Sequence, residues 1–210
     1  MKFLVSLLTI LTIVGLSGVG CQGPLVSDPS AVEQTQFPED ILPENRQLRP
    51  RRSPLGVGEQ VPRFVLPDQL DRDVSAEELM SGKGSLIVFI PGWDSPASRP
   101  TVEYIRRHRE FLAQRGVELI VVTPDSVNRN AQLAQIENLR VGVLHDSRSW
   151  VARSFGVVGE RESAPSGLRC YLIAADGRIH LSRTSLPDAS EVVMAAESLP
   201  GTRSPSIFAR

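Results

Sequence analysis

Cysteine is scarce in this sequence, since its 210 residues include only Cys21 and Cys170. Two cysteines are too few for a disulfide-rich scaffold, and the absence of Cys-x-x-Cys also excludes a paired redox dithiol. The histidines His108, His145 and His180 stand far apart and lack cysteine or carboxylate partners at helical spacing. We therefore expect no metal site and no cofactor.

Excess charge is also lacking, because 23 Lys and Arg residues nearly balance 24 Asp and Glu residues, for a net charge of -1. This balance argues against nucleic acid as a partner. The hydrophobic content of 41% in 210 residues is enough for one good-sized core. One folded domain with appended segments is the expected organisation.

The N-terminal residues have the pattern of a secretory signal peptide. A short positive start precedes a nearly continuous apolar run over residues 3–16, and small residues follow. Residues 18–21 resemble a bacterial lipobox, although Gly18 stands where a larger apolar residue is usual. We predict a lipoprotein-type signal peptide over residues 1–20 and lipidation of Cys21. Ordinary cleavage and an uncleaved anchor are the alternatives, and the apolar run is short for a membrane span.

Residues 21–55 have no hydrophobic periodicity and carry many prolines among polar residues: Pro24, Pro29, Pro38, Pro43, Pro50 and Pro54. We predict that this segment is an extended tether that holds the folded part off the membrane. It ends in a basic cluster: Arg46, Arg49, Arg51 and Arg52. A solvated linker is the favoured interpretation of this cluster, and contact with anionic lipid headgroups is the alternative.

A strand, a turn and a helix are predicted in succession over residues 85–112. Residues 86–90 form an unbroken apolar run, which indicates a central strand buried on both faces. A turn follows, and Pro100 suits the first turn of a helix because the missing N–H is not needed there. The predicted helix ends at Gly116 and has an inward apolar face: Val102, Ile105, Phe111 and Leu112. An α/β fold places its chemistry at such a turn.

The rest of the chain alternates strand with helix, which predicts a parallel-sheet core. The predicted elements are a strand over residues 117–122, a helix facing inward through Leu133, Ile136 and Leu139, a strand over residues 141–146, a short helix over residues 150–155, a hairpin of residues 169–174 and 178–182, and a last helix over residues 189–199.

This order of elements resembles the peroxiredoxins of the alkyl hydroperoxide reductase/thiol-specific antioxidant type over residues 56–201. In that family the central strand is followed by Pro, three residues, Thr or Ser, two residues, and the peroxide-reducing Cys. Pro91 matches the Pro, Ser95 matches the Thr or Ser, and Ser98 stands where the Cys would be. The resemblance implies a thioredoxin-like α/β fold with a central mixed sheet flanked by helices, followed by a tail over residues 202–210.

Ser98 changes the chemistry that the resemblance implies. A peroxidatic thiol reacts as a thiolate and is oxidised to a sulfenic acid. A serine hydroxyl does neither near neutral pH, so we expect no thiol peroxidase activity from Ser98. We interpret this residue as a helix N-cap or as a turn residue just before one. A serine nucleophile is the alternative, and it lacks a Gly-x-Ser-x-Gly turn.

A second departure concerns the arginine that supports the thiolate in this family. When the turn at Asp176-Gly177 is aligned, that arginine falls on Leu168, and Arg169 lies one residue later. A one-residue offset in a strand directs the side chain to the other face. Unless a bulge or an alignment gap restores it, Arg169 does not point at Ser98. Cys170 is interpreted as a buried small apolar residue, with a reactive thiol as the alternative.

Two functions remain open. The leading hypothesis is a cell-envelope lipoprotein whose domain, outside the cytoplasm, lacks peroxidase activity and binds a small ligand or an envelope protein. The turn residues Trp93, Asp94 and Pro96 lie where the resemblance implies a substrate pocket, so they would form that binding site. The alternative is that they only pack the turn. The alternative is an antioxidant oxidoreductase that uses Cys170 as a lone reactive thiol. A hydrolase built on Ser98 is a weaker third hypothesis, and a homodimer is an open alternative to a monomer.

Overall fold

The computed structural model describes residues 42–159 and 161–198. In chain order the elements are a 3-10 helix (Pro43–Gln47), β1 (Val65–Pro67), β2 (Asp73–Ser75), α1 (Ala76–Leu79), β3 (Gly84–Phe89), α2 (Ser98–Ala113), β4 (Val117–Thr123), α3 (Val127–Ile136), β5 (Gly142–His145), α4 (Trp150–Ser154), β6 (Arg169–Ala174), β7 (Ile179–Arg183) and α5 (Ala189–Glu197). The strands and helices that the sequence predicts are therefore present, with small shifts at their ends.

The main sheet has five strands in the order β5-β4-β3-β6-β7. Strand β4 runs parallel to both β3 and β5, whereas β6 runs antiparallel to both β3 and β7. The sheet is therefore mixed, as the family resemblance implies. The parallel core that strand and helix alternation predicts is limited to β3, β4 and β5, because β6 enters the sheet antiparallel to β3 and the final hairpin then adds β7 antiparallel to β6.

Strand β3 lies in the centre of the sheet and all its residues are buried. Successive side chains point to opposite faces. Leu86 and Val88 face a core shared with α2 and α5, whereas Ile87 and Phe89 face a core shared with α4 and the entry segment. Because two layers cover it, β3 needs apolar residues at every position, which explains the unbroken apolar run.

Helix α2 follows β3 and packs on one face of the sheet. Val102, Ile105 and Leu112 are 8%, 0% and 0% exposed, which confirms the predicted inward face. Burial of each such side chain contributes about 1.5–3 kcal/mol. Gly116 lies just before β4 with a φ of +78°, a left-handed conformation that glycine adopts without a steric cost.

The predicted inward face of α3 is wrong at its end. Ile136 is 77% exposed because it is the last residue of α3 and points to solvent. Leu139 is buried, but it lies in the loop after α3. Between them Asn138 has a φ of +51°, and this left-handed residue turns the chain away from the helical path.

Residues 42–55 belong to the folded domain, so the predicted tether extends too far and the predicted domain start at residue 56 is too late. Asn45 is 4% exposed and binds the backbone of Val65 twice, donating from Nδ2 to its oxygen at 2.6 Å and accepting from its N–H at 2.9 Å. Leu48 and Leu55 are also buried. These three anchors outweigh the proline-rich composition on which the prediction relied.

Two backbone hydrogen bonds extend this attachment to the region of α4. The N–H of Arg51 donates to the carbonyl of Arg153, and the N–H of Leu55 donates to the carbonyl of Phe155, both at 3.0 Å. The segment is thus held along its length. The signal peptide, Cys21, the tether before residue 42 and the tail over residues 202–210 lie outside the described residues. Within the described ranges, no helix has the length and apolarity to cross a bilayer.

Candidate functional site

The turn between β3 and α2 places the three motif residues at the start of α2. Ser98 is the first residue of the helix, and the cap position is Ala97, which makes no side-chain capping bond. The interpretation of Ser98 as the N-cap is therefore wrong by one residue. The Ser98 N–H donates to the carbonyl of Ser95 at 3.1 Å, so a tight turn leads directly into the helix.

The hydroxyl groups of this turn are partly enclosed. Ser95, Ser98 and Pro91 are all half-buried. The Oγ of Ser95 is inaccessible to solvent and has no hydrogen-bond partner among the described residues. The two serines lie near the positive end of the α2 dipole. They can form hydrogen bonds, but neither supplies a group that peroxide oxidises reversibly.

A network of buried polar groups holds the turn in place. Trp93 is 4% exposed, and its backbone N–H donates to Oδ2 of Asp125 at 2.6 Å. Its indole Nε1 donates to Oδ1 of Asn130 at 2.8 Å. The same Asp125 oxygen accepts from Oγ1 of Thr123 at 3.0 Å. Thr123 ends β4, Asp125 lies in the connection and Asn130 lies in α3, so the turn is fixed to the neighbouring strand-to-helix connection.

The backbone carbonyl of Asp125 is a second centre of the network. It accepts from Nδ2 of Asn130 at 3.2 Å and lies 2.6 Å from Nδ1 of His145. A carbonyl only accepts, so Nδ1 of His145 carries the proton. Sequence reasoning missed Asp125, Asn130 and His145 as supports. The available signal was the position of Asp125 and His145 at the carboxyl ends of adjacent parallel strands.

At the surface an ion pair joins the turn to α3. Nη2 of Arg129 lies 2.7 Å from Oδ1 of Asp94, whose side chain is 87% exposed. Pro96 is also exposed. The turn therefore combines a fixed interior at Trp93 with an accessible outer surface.

Arg169 lies on the face of the sheet opposite to Cys170. The pairing of β6 with β3 is continuous from Arg169 opposite Phe89 onward, and the irregularity in β6 concerns its pairing with β7. Nη1 of Arg169 donates to Oγ of Ser182 at 3.3 Å. In the described part of the chain no hydrogen bond joins Arg169 to Ser98, so the arrangement differs from the thiolate support that the family resemblance implies.

The thiol of Cys170 is enclosed in the core that α2 and α5 cover. It is 0% exposed and belongs to the same cluster as Val88 and Leu172. Burial raises the pKa of Cys170 from 9.0 to about 12, although the nearby Arg169 opposes this shift. The thiolate fraction near neutral pH is therefore very small. This environment weighs against the lone reactive thiol, which requires an exposed and electropositive site.

No group of three or more His, Cys, Asp or Glu side chains is arranged to hold a metal ion in residues 42–159 and 161–198. Ser98 also has no hydrogen bond to a His or Lys side chain there. The third hypothesis, a hydrolase built on Ser98, therefore finds no general base among these residues.

The mixed sheet, the turn after its central strand and the following helix define a thioredoxin-like α/β domain. The model of the AhpC/TSA family matches residues 57–182, which is more than half of the chain, so the chain belongs to the AhpC/TSA family. Peroxiredoxin Bcp of Escherichia coli strain K12 is 29% identical over 132 residues, which cover 60% of this chain and 84% of that protein.

Solved structures show the same fold. Peroxidoxin BcpB from Mycobacterium tuberculosis superposes with a TM-score of 0.60 at 19% identity and covers 70% of this chain and 99% of its own. A cysteine-to-serine mutant of PrxQ from Xylella fastidiosa superposes with a TM-score of 0.61 at 15% identity and covers 70% of this chain and 98% of its own. At these identities the similarity concerns the fold.

Proposed function

We propose that this chain is a cell-envelope lipoprotein whose AhpC/TSA-family domain has no thiol peroxidase activity and acts by binding a small ligand or an envelope protein. The observation that carries the proposal is the position of Ser98. It opens α2 directly after the central strand, where the resemblance places the peroxide-reducing thiol. A hydroxyl at this position can donate or accept a hydrogen bond, but it has no sulfenic acid state.

Two further observations support the loss of peroxidase chemistry. Cys170 is buried, and its pKa of about 12 keeps it protonated near neutral pH. Arg169 lies on the face of the sheet opposite to Cys170 and donates to Ser182. Neither residue compensates for the serine at position 98.

The binding role draws on the rigid turn. Trp93 is held by Asp125 and Asn130, so the turn does not have to be ordered when a partner binds. Asp94 and Pro96 are exposed on its outer surface. In this proposal the lipid on Cys21 keeps the domain at a membrane, outside the cytoplasm, where its partner would be an envelope component.

Peroxide consumption with a thiol reductant tests the catalytic part of the proposal. The full-length chain in detergent would be compared with Ser98→Cys and Cys170→Ser. We expect the parent and Cys170→Ser to be inert and Ser98→Cys to gain activity. If the parent consumes peroxide and Cys170→Ser abolishes this activity, the chain is instead a one-cysteine oxidoreductase and the proposal fails.

Mass spectrometry of the mature N-terminus tests the membrane attachment. We expect a lipid-modified Cys21 at the first position and release of a Cys21→Ala variant from the membrane fraction. An unmodified N-terminus at another residue would contradict the lipoprotein assignment. Sedimentation of the parent in detergent would decide between a monomer and a homodimer.

A further inference from the structure

The N-terminal segment of the described chain and α4 enclose a groove of about 380 Å³. We call it the arginine groove. Its wall is formed by residues of the segment before β1 and one residue of α4, including three arginines and four apolar residues: Arg49, Arg51, Arg63, Leu48, Pro50, Leu55 and Pro62. The volume lies within the range of small-ligand pockets, about 300–1,000 Å³.

The positive charge of the arginine groove is only partly neutralised. Nη2 of Arg51 lies 2.7 Å from Oε1 of Glu59, and Nε of Arg63 lies 3.3 Å from Oε1 of Glu77. Arg49 donates from Nη1 to the carbonyls of Arg46 and Leu48, each at 3.0 Å. No carboxylate pairs with Arg49 among the described residues, and no acidic side chain belongs to the groove wall.

Attachment of the segment is what brings these charges together. Arg49 and Arg51 lie between the buried residues Leu48 and Leu55, and the bond from the Arg51 N–H to the Arg153 carbonyl fixes the backbone between them. Arg63 faces the groove from the stretch that leads into β1. The basic residues are therefore held around one concave surface and are not spread along a free linker.

We propose that the arginine groove binds a phosphate group carried by a ligand with an apolar portion. Guanidinium groups pair with phosphate and carboxylate oxygens through parallel hydrogen bonds. A phosphate offers more acceptor oxygens than a carboxylate and therefore suits a groove wall that carries three arginines better. The apolar residues Leu48, Leu55 and Pro62 provide the surface for the rest of the ligand. The phosphate could belong to a phospholipid headgroup or to a free phosphorylated molecule.

This site is independent of the function proposed above. The groove residues Leu48 and Leu55 belong to the core on the α4 side of the sheet, whereas α2 packs on the other side. Phosphate binding can therefore fail without affecting the peroxidase result for Ser98→Cys, and the reverse is also true.

Thermal unfolding of the full-length chain in neutral detergent micelles tests the proposal, because a ligand that binds only the native state raises the midpoint. One arm adds inorganic phosphate, with sodium acetate at equal ionic strength as its control. The other arm replaces part of the detergent with phosphatidylglycerol. Its control is phosphatidylcholine, in which the choline cation neutralises the phosphate within the headgroup. A rise with inorganic phosphate shows that the groove binds a phosphate without a lipid, and a rise with phosphatidylglycerol alone identifies the headgroup as the source.

The groove variant Arg49→Gln with Arg63→Gln is compared with Arg107→Gln combined with Arg99→Gln on α2. The pairs are matched, since Arg99 and Arg63 each have one exposed carboxylate partner and Arg107 is exposed like Arg49. For each variant, the shift caused by the ligand is measured from that variant's own unfolding midpoint without ligand.

The unfolding midpoint is measured at increasing ligand concentration for each variant. We expect the groove variant to bind at least roughly tenfold more weakly than the parent, which is the effect of losing one charge-assisted hydrogen bond. The α2 variant should keep the parent's response. The proposal is overturned if neither arm raises the midpoint, if acetate acts as well as phosphate, or if both variants lose the response equally.

Discussion

The indole Nε1 of Trp93 donates to Oδ1 of Asn130 at 2.8 Å, and this bond joins the turn before α2 to the interior of α3. Both residues are buried, at 4% and 0% exposure. A buried N–H without a partner lowers the free energy of unfolding more than an exposed one does, because water cannot replace the lost acceptor. The bond therefore contributes to the shape of the candidate site as well as to stability.

We predict that Asn130→Ala lowers the free energy of unfolding by about 1–3 kcal/mol, because it leaves the indole N–H of Trp93 unpartnered. Urea denaturation measures this change. Trp93→Phe and the double variant complete a mutant cycle. Strictly additive effects would mean that the hydrogen bond contributes nothing to stability.

The attachment of residues 42–55 is tested at Asn45. We expect Asn45→Ala to cost about 1–3 kcal/mol of unfolding free energy, since both backbone groups of Val65 lose their side-chain partner. Protease cleavage between residues 46 and 52 should become faster. Gln47→Ala is the matched control from the same 3-10 helix, because Gln47 is exposed and should change stability by less than about 0.5 kcal/mol. Equal behaviour of the two variants would support the tether instead.

Thiol labelling tests the environment of Cys170. In a Cys21→Ser background we expect almost no reaction of the folded chain with a maleimide near neutral pH, and complete reaction after denaturation. Ser98→Cys should add a reactive thiol, because position 98 is only half-buried. Rapid labelling of folded Cys170 would contradict the structure.

Cys170 also makes the folding stability depend on pH under alkaline conditions. Burial raises the pKa of Cys170 from 9.0 to about 12, so the folded state keeps a proton that the unfolded chain releases. Its stabilising contribution is therefore present below pH 9.0 and is lost as the pH rises toward about 12. Cys170→Ser should reduce the fall of the unfolding free energy with rising pH in this range.

Asp146 makes the folding stability depend on pH in the acidic range. It is 3% exposed and accepts hydrogen bonds from the N–H groups of Val151 at 3.2 Å and Ala152 at 2.8 Å. Burial raises its pKa from 3.8 to about 6, against the opposing effect of these bonds. The folded state therefore binds a proton more tightly than the unfolded chain does. The contribution to stability is complete below pH 3.8 and is lost as the pH rises through about 6.

We predict that Asp146→Asn removes a decrease of order 1–3 kcal/mol in unfolding free energy between acidic and neutral pH. Unfolding measured across this interval checks the prediction. Asp73→Asn is the control, because Asp73 is exposed in β2. An unchanged slope in Asp146→Asn would show that another group produces it.

The sequence by itself determined the order of strands and helices, the central strand and the position of Ser98, because these depend on local apolar patterning and on motif spacing. The unbroken apolar run of β3 and the inward residues of α2 are local signals of this kind. The missing thiol at position 98 also needs no structure to be recognised.

Tertiary structure decided what depends on contacts between distant residues. Asn45 and Leu48 attach a proline-rich segment whose composition indicates a tether, because Val65 offers backbone partners 20 residues away. Asn130 supports Trp93 across 37 residues. The arginine groove exists because Arg49 and Arg63 line one surface only when that segment packs against the domain. No local sequence pattern encodes such long-range arrangements, since they follow from how the elements pack around the sheet.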